Sequence, residues 1–166
     1  MTEPHSQGGD EHPYLRLRRT EHEALFYRFV DDVVNEGRLE VVDDLVSHDV
    51  VMHVAGDPVP IRGPEAVKAS VRRDRTAFPD LSLEVDDLVV DGPEVVGRLT
   101  MTGTHEGPFA GIEPTGVHVE VQRVVIDRIE NGTLVERWEL LDTHHLRRQL
   151  GATEPPGDRR RDRRSE

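Results

Sequence analysis

Trp138 and Asp142 lie four residues apart in the stretch LVERWELLD, residues 134–142, and they are the first candidates for chemistry. The stretch reads as a strand, so Glu136, Trp138, Leu140 and Asp142 share one face and Val135, Arg137, Glu139 and Leu141 the other. An indole beside two carboxylates makes poor core, because an unpaired buried charge costs several kcal/mol, but it suits a pocket wall. A carboxyl at the end of such an apolar face is pushed toward the pKa range in which it can remove and return a proton beside a carbonyl. Asp142 is equally suited to capping a helix over residues 143–150, and the two roles are compatible. His53 and His105 can donate to an oxyanion or shuttle a proton near neutral pH, or serve as ordinary strand side chains. Trp138 is either wall or core ring, and Glu136 needs a partner that Arg98 or Arg123 on a neighbouring strand can supply. Nine histidines invite a metal, yet no His-x-x-x-His or His-x-His spacing occurs, so no metal site is expected.

The elements that must position these residues fall into two regimes. Thr20-x-x-Glu23 predicts a capping box at the start of a helix carrying Leu25, Phe26, Phe29, Val30, Val33 and Val34 as one stripe, stopped by Gly37. A shorter helix follows over residues 39–46, and a strand over 49–55 sets Val50, Met52 and Val54 against Val51 and His53. A third helix, 64–78, has Pro at its first turn, and Arg72, Arg73 and Arg75 either steer an anionic substrate or form a solvated face pairing with Asp74 and Asp80. From Leu81 the period becomes two, giving strands over 81–90, 95–105, 117–129 and 134–142, with Asn131-Gly132 as a hairpin turn. Helices first and long strands afterward predict an α+β fold, a curved antiparallel sheet with helices on one side and Gly97 and Gly103 as bend points. On this parity Val119, Val121 and Val125 fall on the outer face with Val135 and Leu141, and a homodimer would cover them.

Composition bounds the partners. With 33 acidic and 21 basic residues the net charge is −12, which argues against nucleic acid and anionic membrane. Lys68 is the only lysine, a bias that fits a halophile's cytoplasm and a GC-rich genome equally. The chain has no cysteine, no signal-like start and no long apolar run, so a cytoplasmic location is expected. Residues 1–19 read as a mobile arm, 20–151 as one domain, and 152–166 as a disordered Arg-rich tail.

Several pieces in order carry a family resemblance: Ala77-Phe-Pro-Asp80, Gly103-Thr-His-Glu-Gly107 with Phe109, Gly111-Ile-Glu-Pro-Thr-Gly116, Asn131-Gly-Thr-Leu-Val-Glu136 with Trp138 and Asp142, and Gln149-Leu-Gly151. Over residues 20–151 the chain resembles the SnoaL-like polyketide cyclases and predicted ester cyclases, within the nuclear transport factor 2-like (cystatin-like) superfamily. The resemblance implies a cone-shaped, strongly curved sheet wrapped over three N-terminal helices, with a pocket between them. It implies aldol-type ring closure of an ester substrate without metal or cofactor, with Asp142 of the Trp-x-x-x-Asp motif as general acid/base and the 107–116 turn, with Phe109, at the pocket mouth.

Two functions follow. The first is cofactor-free cyclisation, isomerisation or hydrolysis of a small hydrophobic carbonyl or ester compound. Asp142, His105 and His53 would be its catalytic residues, and Trp138, Glu136 and Phe109 would bind substrate. The second is a non-catalytic ligand-binding or dimerising domain of the same fold.

Overall fold

The computed structural model describes residues 13–152; of the mobile arm expected over 1–19, residues 1–12 lie outside the described residues while 13–19 are helical, and of the tail expected over 152–166, residues 153–166 lie outside them. A helix, α1 (Pro13–Arg28), runs into a π-helical segment, Phe29–Asn35, and after Gly37 come a 3-10 turn, Leu39–Val41, and the short α2 (Val42–Leu45). β1 (Val46–Val54), β2 (Ile61–Arg62) and α3 (Pro64–Ala77) follow. Four strands and a last helix complete the chain: β3 (Ser82–Asp91), β4 (Glu94–Thr104), β5 (His118–Glu130), β6 (Thr133–Leu141) and α4 (Thr143–Gln149). The six strands form one curved sheet in the order β2-β1-β6-β5-β4-β3, so the expected α+β architecture is present. Its β1–β6 pair is parallel and its other pairs are antiparallel.

One departure lies at the start. Helix α1 begins at Pro13, so Thr20 is interior rather than a cap, and its hydroxyl donates back to Arg16 O at 3.0 Å. Pro at the first helical position needs no amide partner there, and the i,i+4 pair Arg19–Glu23 at 3.3 Å supports the exposed turns.

Helix and sheet meet through aromatic rings seated on glycines. A Cβ on Gly97 would lie 2.4 Å from Phe26 Cζ, and one on Gly103 would lie 3.0 Å from Phe78 Cβ. The two expected bend points are therefore places where β4 gives up a side chain so that a ring can lie against its backbone. Phe26 and Phe78 are fully buried, as are Val95, Val119 and Leu134 of the facing strands. The Asn131-Gly132 hairpin has both residues at positive φ, 51° and 78°, as a tight two-residue turn demands.

Side-chain parity on the sheet differs from strict alternation. Leu134 of β6 is buried in the core and opposes Ile129, but Glu136 opposes Arg128, so Val135 is an extra residue on the β6 side. A bulge there reverses every later side chain. Arg137, Glu139 and Leu141 turn inward, and Glu136, Trp138 and Leu140 turn outward. Val119, Val121 and Val125 accordingly lie in the core rather than on the outer face, which corrects the sequence-based ground for a dimer.

Candidate active site

Between helix α3, the π-helical segment and the inner sheet face lie two adjoining chambers that share part of their lining. The inner one, about 40 Å³, is bounded mainly by buried apolar side chains, among them Phe26, Phe29, Val34 and Leu99. The outer one, about 120 Å³, is bounded by Phe78, Met101, Phe109 and Leu141, with Arg73 and Thr143 at its rim. Ser70, Asp74, Arg123 and Glu139 border both chambers and form a polar girdle between them.

Each girdle residue sits where its element requires an inward side chain. Along α3, Val67, Ser70, Val71, Asp74 and Ala77 follow helical spacing, so Asp74 is a carboxyl on the buried stripe. On β5, Val119, Val121, Arg123, Val125 and Asp127 alternate inward. Two of these five are charged, and each pairs with an inward residue of β6. Asp127, fully buried, receives Nε and Nη2 of Arg137, each at 2.6 Å, and the Arg137 guanidinium lies 4.1 Å from the centre of the Phe29 ring. Burial opposes the Arg137 charge, but Asp127 outweighs it and the group stays a cation. Arg123 Nη2 donates to Glu139, and both side chains are close to nine-tenths buried.

The electrostatics separate the two carboxyls. Burial lifts Asp74 above the ordinary aspartate range, with Arg123 pulling it down, Glu139 pushing it further up and Arg73, 3.7 Å away, pulling it down again. Glu139 is also pushed up by burial, yet Arg123 and Arg137 hold it below the ordinary glutamate range. Glu139 therefore stays ionised, while Asp74 exchanges its proton nearer neutral pH. Arg123 Nε is buried and has no hydrogen-bond partner. A buried guanidinium N–H left without a partner carries an unmet hydrogen-bond cost, here on a residue that lines both chambers.

The residues singled out in the sequence are placed differently. Asp142 is exposed and caps α4, accepting the His145 amide at 2.9 Å; neither chamber is lined by it, although the next residue, Thr143, reaches the outer rim. His53, Glu136 and Trp138 come together on the outer face of the sheet. His53 Nε2 lies 2.9 Å from Glu136 Oε1, its ring stacks on Trp138 at 5.4 Å, and Arg128 lies 5.5 Å over the indole. The expected wall residues Trp138 and Glu136 are thus turned away from the cavity by the bulge at Val135. Of the expected substrate contacts, Phe109 does border the outer chamber, edge-on to Phe78 at 5.4 Å.

His105 is fully buried behind Phe78. Its Nδ1 accepts the Thr115 amide at 3.2 Å and lies 3.0 Å from the Thr115 hydroxyl, so in the neutral ring the proton is on Nε2. The ring pins the 106–116 loop, whose ends are also held by His105 N to Val117 O and Gly116 N to His105 O. In the same region Asp80 accepts from Thr104 N at 2.6 Å, and this bond and the Thr104 hydroxyl hold its carboxyl below the ordinary range. The Phe-Pro-Asp motif therefore ties the end of α3 to β4.

The sequence did not mark Asp74, Arg123 or Glu139 as site residues; Arg123, expected as a partner for Glu136, pairs with Glu139 instead, and Glu136 pairs with His53 and Arg128. The signal was present as charge interrupting an apolar stripe: Asp74 among Val67, Val71 and Ala77, and Arg123 between Val121 and Val125.

Comparison with known proteins agrees with this architecture. Residues 24–150 match the SnoaL-like polyketide cyclase family. Aklanonic acid methyl ester cyclase DauD from Streptomyces sp. (strain C5) is 29% identical over 126 residues, 75% of this chain and 78% of that protein. Among solved structures, TsrD from Streptomyces laurentii superposes with a TM-score of 0.74 at 34% identity, covering 81% of this chain and 98% of that one. AclR, a putative hydroxylase from Streptomyces galilaeus, gives 0.71 at 30% identity, covering 82% and 85%. With the match spanning most of its length and the cavity lying between the helices and the curved sheet, this chain belongs to the SnoaL-like polyketide cyclase family.

Proposed function

We propose that this protein is a cofactor-free acid/base catalyst acting on a small apolar carbonyl or ester compound, by aldol-type ring closure or the enolisation that begins it, and that it works as a homodimer in the cytoplasm. The observation that carries the catalytic part is the buried, unpaired Nε–H of Arg123 on the same cavity as a carboxyl that burial has raised.

The chemistry follows from those two groups. The Asp74 carboxylate takes a proton from the carbon next to a carbonyl; the C–H electron pair becomes the C=C bond of an enolate, and the carbonyl π pair moves to oxygen. Arg123 Nε–H donates to that oxygen, where negative charge develops in a site of low dielectric. The enolate carbon then attacks a second carbonyl, a C–C bond forms, and the new alkoxide takes the proton back from Asp74. A raised pKa suits a group that must both accept and return a proton. Glu139 acts through Arg123, holding the guanidinium in place.

Aklanonic acid methyl ester, the compound in the DauD name, is the first substrate to assay. A simpler probe isolates the first step: exchange of the α-hydrogens of butyrophenone for deuterium in D2O, followed by proton NMR. The wild-type protein should accelerate exchange and Arg123→Gln should slow it by about 10²–10³-fold, the loss expected for one oxyanion donor. Binding of the ketone without any accelerated exchange would instead support a non-catalytic ligand-binding domain.

A further inference from the structure

Two ion pairs lie side by side on the inner face of β5 and β6. In the register Asp127 stands opposite Arg137, Val125 opposite Glu139 and Arg123 opposite Leu141, so Asp127–Arg137 is a direct cross-strand pair and Arg123–Glu139 a diagonal one. Arg137 and Glu139 are two residues apart on one strand face, which leaves the Glu139 carboxylate in the field of both arginines. The Glu139 backbone is fixed from both sides, by β5 and by the Ala55 amide, which donates to its carbonyl at 2.8 Å. Only its side chain is left to choose a partner, and it takes Arg123.

Arg137 is kept out of that choice. Asp127, fully buried, takes its Nε and Nη2 as a fork, each at 2.6 Å, and the guanidinium lies 4.1 Å from the centre of the Phe29 ring. Stability alone is a poor reason for such a pair, because well-packed apolar side chains of similar volume commonly replace a buried ion pair without loss. What the fork fixes is direction. Without the Asp127 charge, Arg137 would remain a buried cation and turn to Glu139, whose field it already feels. Arg123 would then be released toward Asp74, the other carboxyl on which it acts.

We infer that Asp127 and Arg137 are positioning residues for Asp74: Asp127 holds the Arg137 guanidinium off Glu139, Glu139 is thereby left to Arg123, and Arg123 keeps its place at the girdle beside Asp74. As a catalytic role this rests on the proposed assignment of Asp74 as the group that transfers the proton. Asp127, Arg137, Glu139, Arg123, Asp74 and Arg73 alternate in sign from a fully buried carboxylate to an arginine whose side chain is 69% exposed. A change of charge at the buried end reaches Asp74 by an exchange of partners along that series.

The test is the titration of the Asp74 carboxyl in the full-length chain, followed by carbon NMR of its Cγ, together with the pH profile of α-hydrogen exchange. Asp127→Asn keeps the shape and removes the charge. It should lower the proton affinity of Asp74 by about tenfold or more, the effect of an arginine brought up to a carboxylate, and move the rising limb of kcat/KM to lower pH by the same factor. Arg137→Lys keeps the charge but loses the fork and the ring contact, so it should move Asp74 in the same direction, and it carries the test if Asp127→Asn does not fold. Circular dichroism melts establish which variants are folded. In a Glu139→Gln background Asp127→Asn should leave Asp74 where Glu139→Gln alone puts it. A purely structural pair would lower Tm and leave the Asp74 titration unchanged, which would overturn the inference, as would an equal shift in the Glu139→Gln background. The titration needs no turnover. Loss of the coupling with exchange intact would therefore overturn this inference alone, and intact coupling in a protein that exchanges no α-hydrogen would overturn the catalytic assignment alone.

Discussion

Asp74 and Glu139 are two carboxyls at one girdle drawn to opposite sides of their ordinary ranges: for Asp74 burial outweighs the pull of Arg123 and Arg73, whereas for Glu139 the fields of Arg123, Arg137 and Arg73 outweigh burial. Such a divergence assigns roles: the group held ionised positions, and the group lifted toward neutral pH transfers protons. The sign for activity follows directly. Asp74 must be ionised to accept a proton, so kcat/KM for ketone α-hydrogen exchange should rise with pH along a limb whose midpoint lies above the ordinary aspartate value of about 3.9. Arg123→Gln removes a cation that pulls Asp74 down and should move that limb to higher pH; a limb at or below the ordinary value in both proteins would contradict the assignment. For stability the two carboxyls act oppositely. The raised Asp74 contributes stability that is present below its unfolded-state pKa and lost as pH rises through its folded one, whereas the contribution of Glu139 is present above its unfolded pKa and lost as pH falls through its folded one.

At the scale of elements, most of what the structure contains was legible in the sequence. The β-strand runs, Pro64 opening α3, Gly37 ending the first helix and Asn131-Gly132 turning the last hairpin are local signals read by local rules. Facing was legible on β1, where Val50 and Met52 are buried and His53 is outside, but not on β6. The reason is one residue. From Leu134, strict alternation carries Trp138 inward, and only the extra residue Val135 turns it out, a feature of pairing with β5 that β6 does not announce by itself. The same error turned Val119, Val121 and Val125 outward. Their valine-rich alternation against Glu120 and Gln122 was the better guide to the core than the position of a single tryptophan. The start of α1 was misplaced because a Thr-x-x-Glu pattern occurs inside helices as well as at their ends.

Gly107 shows how tightly the loop that carries Phe109 is fixed to α3. A Cβ there would lie 2.2 Å from Thr76 O, a backbone atom that cannot rotate away, whereas at Gly97 it would meet the edge of the Phe26 ring. Gly97→Ala should cost about 1–3 kcal/mol, the usual range for overpacking, and Gly107→Ala more than that, measured by urea unfolding. Equal or smaller loss at Gly107 would mean that the loop can lift from the helix end without penalty.

For the whole molecule, the outer sheet face is what remains to be covered. It carries the His53–Trp138 stack, Leu140 at 57% exposure and Val96 at 37%, bordered by charged residues such as Arg98 and Asp87. An apolar centre with a charged rim is the anatomy of a self-complementary interface. Light scattering should give twice the chain mass of 18.8 kDa, and Leu140→Asp should give the single-chain mass. A wild-type monomer would remove the dimer, and a dimer indifferent to Leu140→Asp would place its interface elsewhere.

The proposed reaction places proton transfer on Asp74, the half-buried carboxyl bordering both chambers, rather than on the one that follows β6. Asp74 and Asp142 are separated by one comparison, the rate of α-hydrogen exchange in butyrophenone catalysed by Asp74→Asn and by Asp142→Asn under identical conditions. Asp74→Asn should lose about 10²–10⁴-fold, the range for removal of a general acid/base, while Asp142→Asn should retain the wild-type rate with some loss of thermal stability from the weakened cap of α4. The opposite order, with Asp74→Asn active and Asp142→Asn inert, would contradict it.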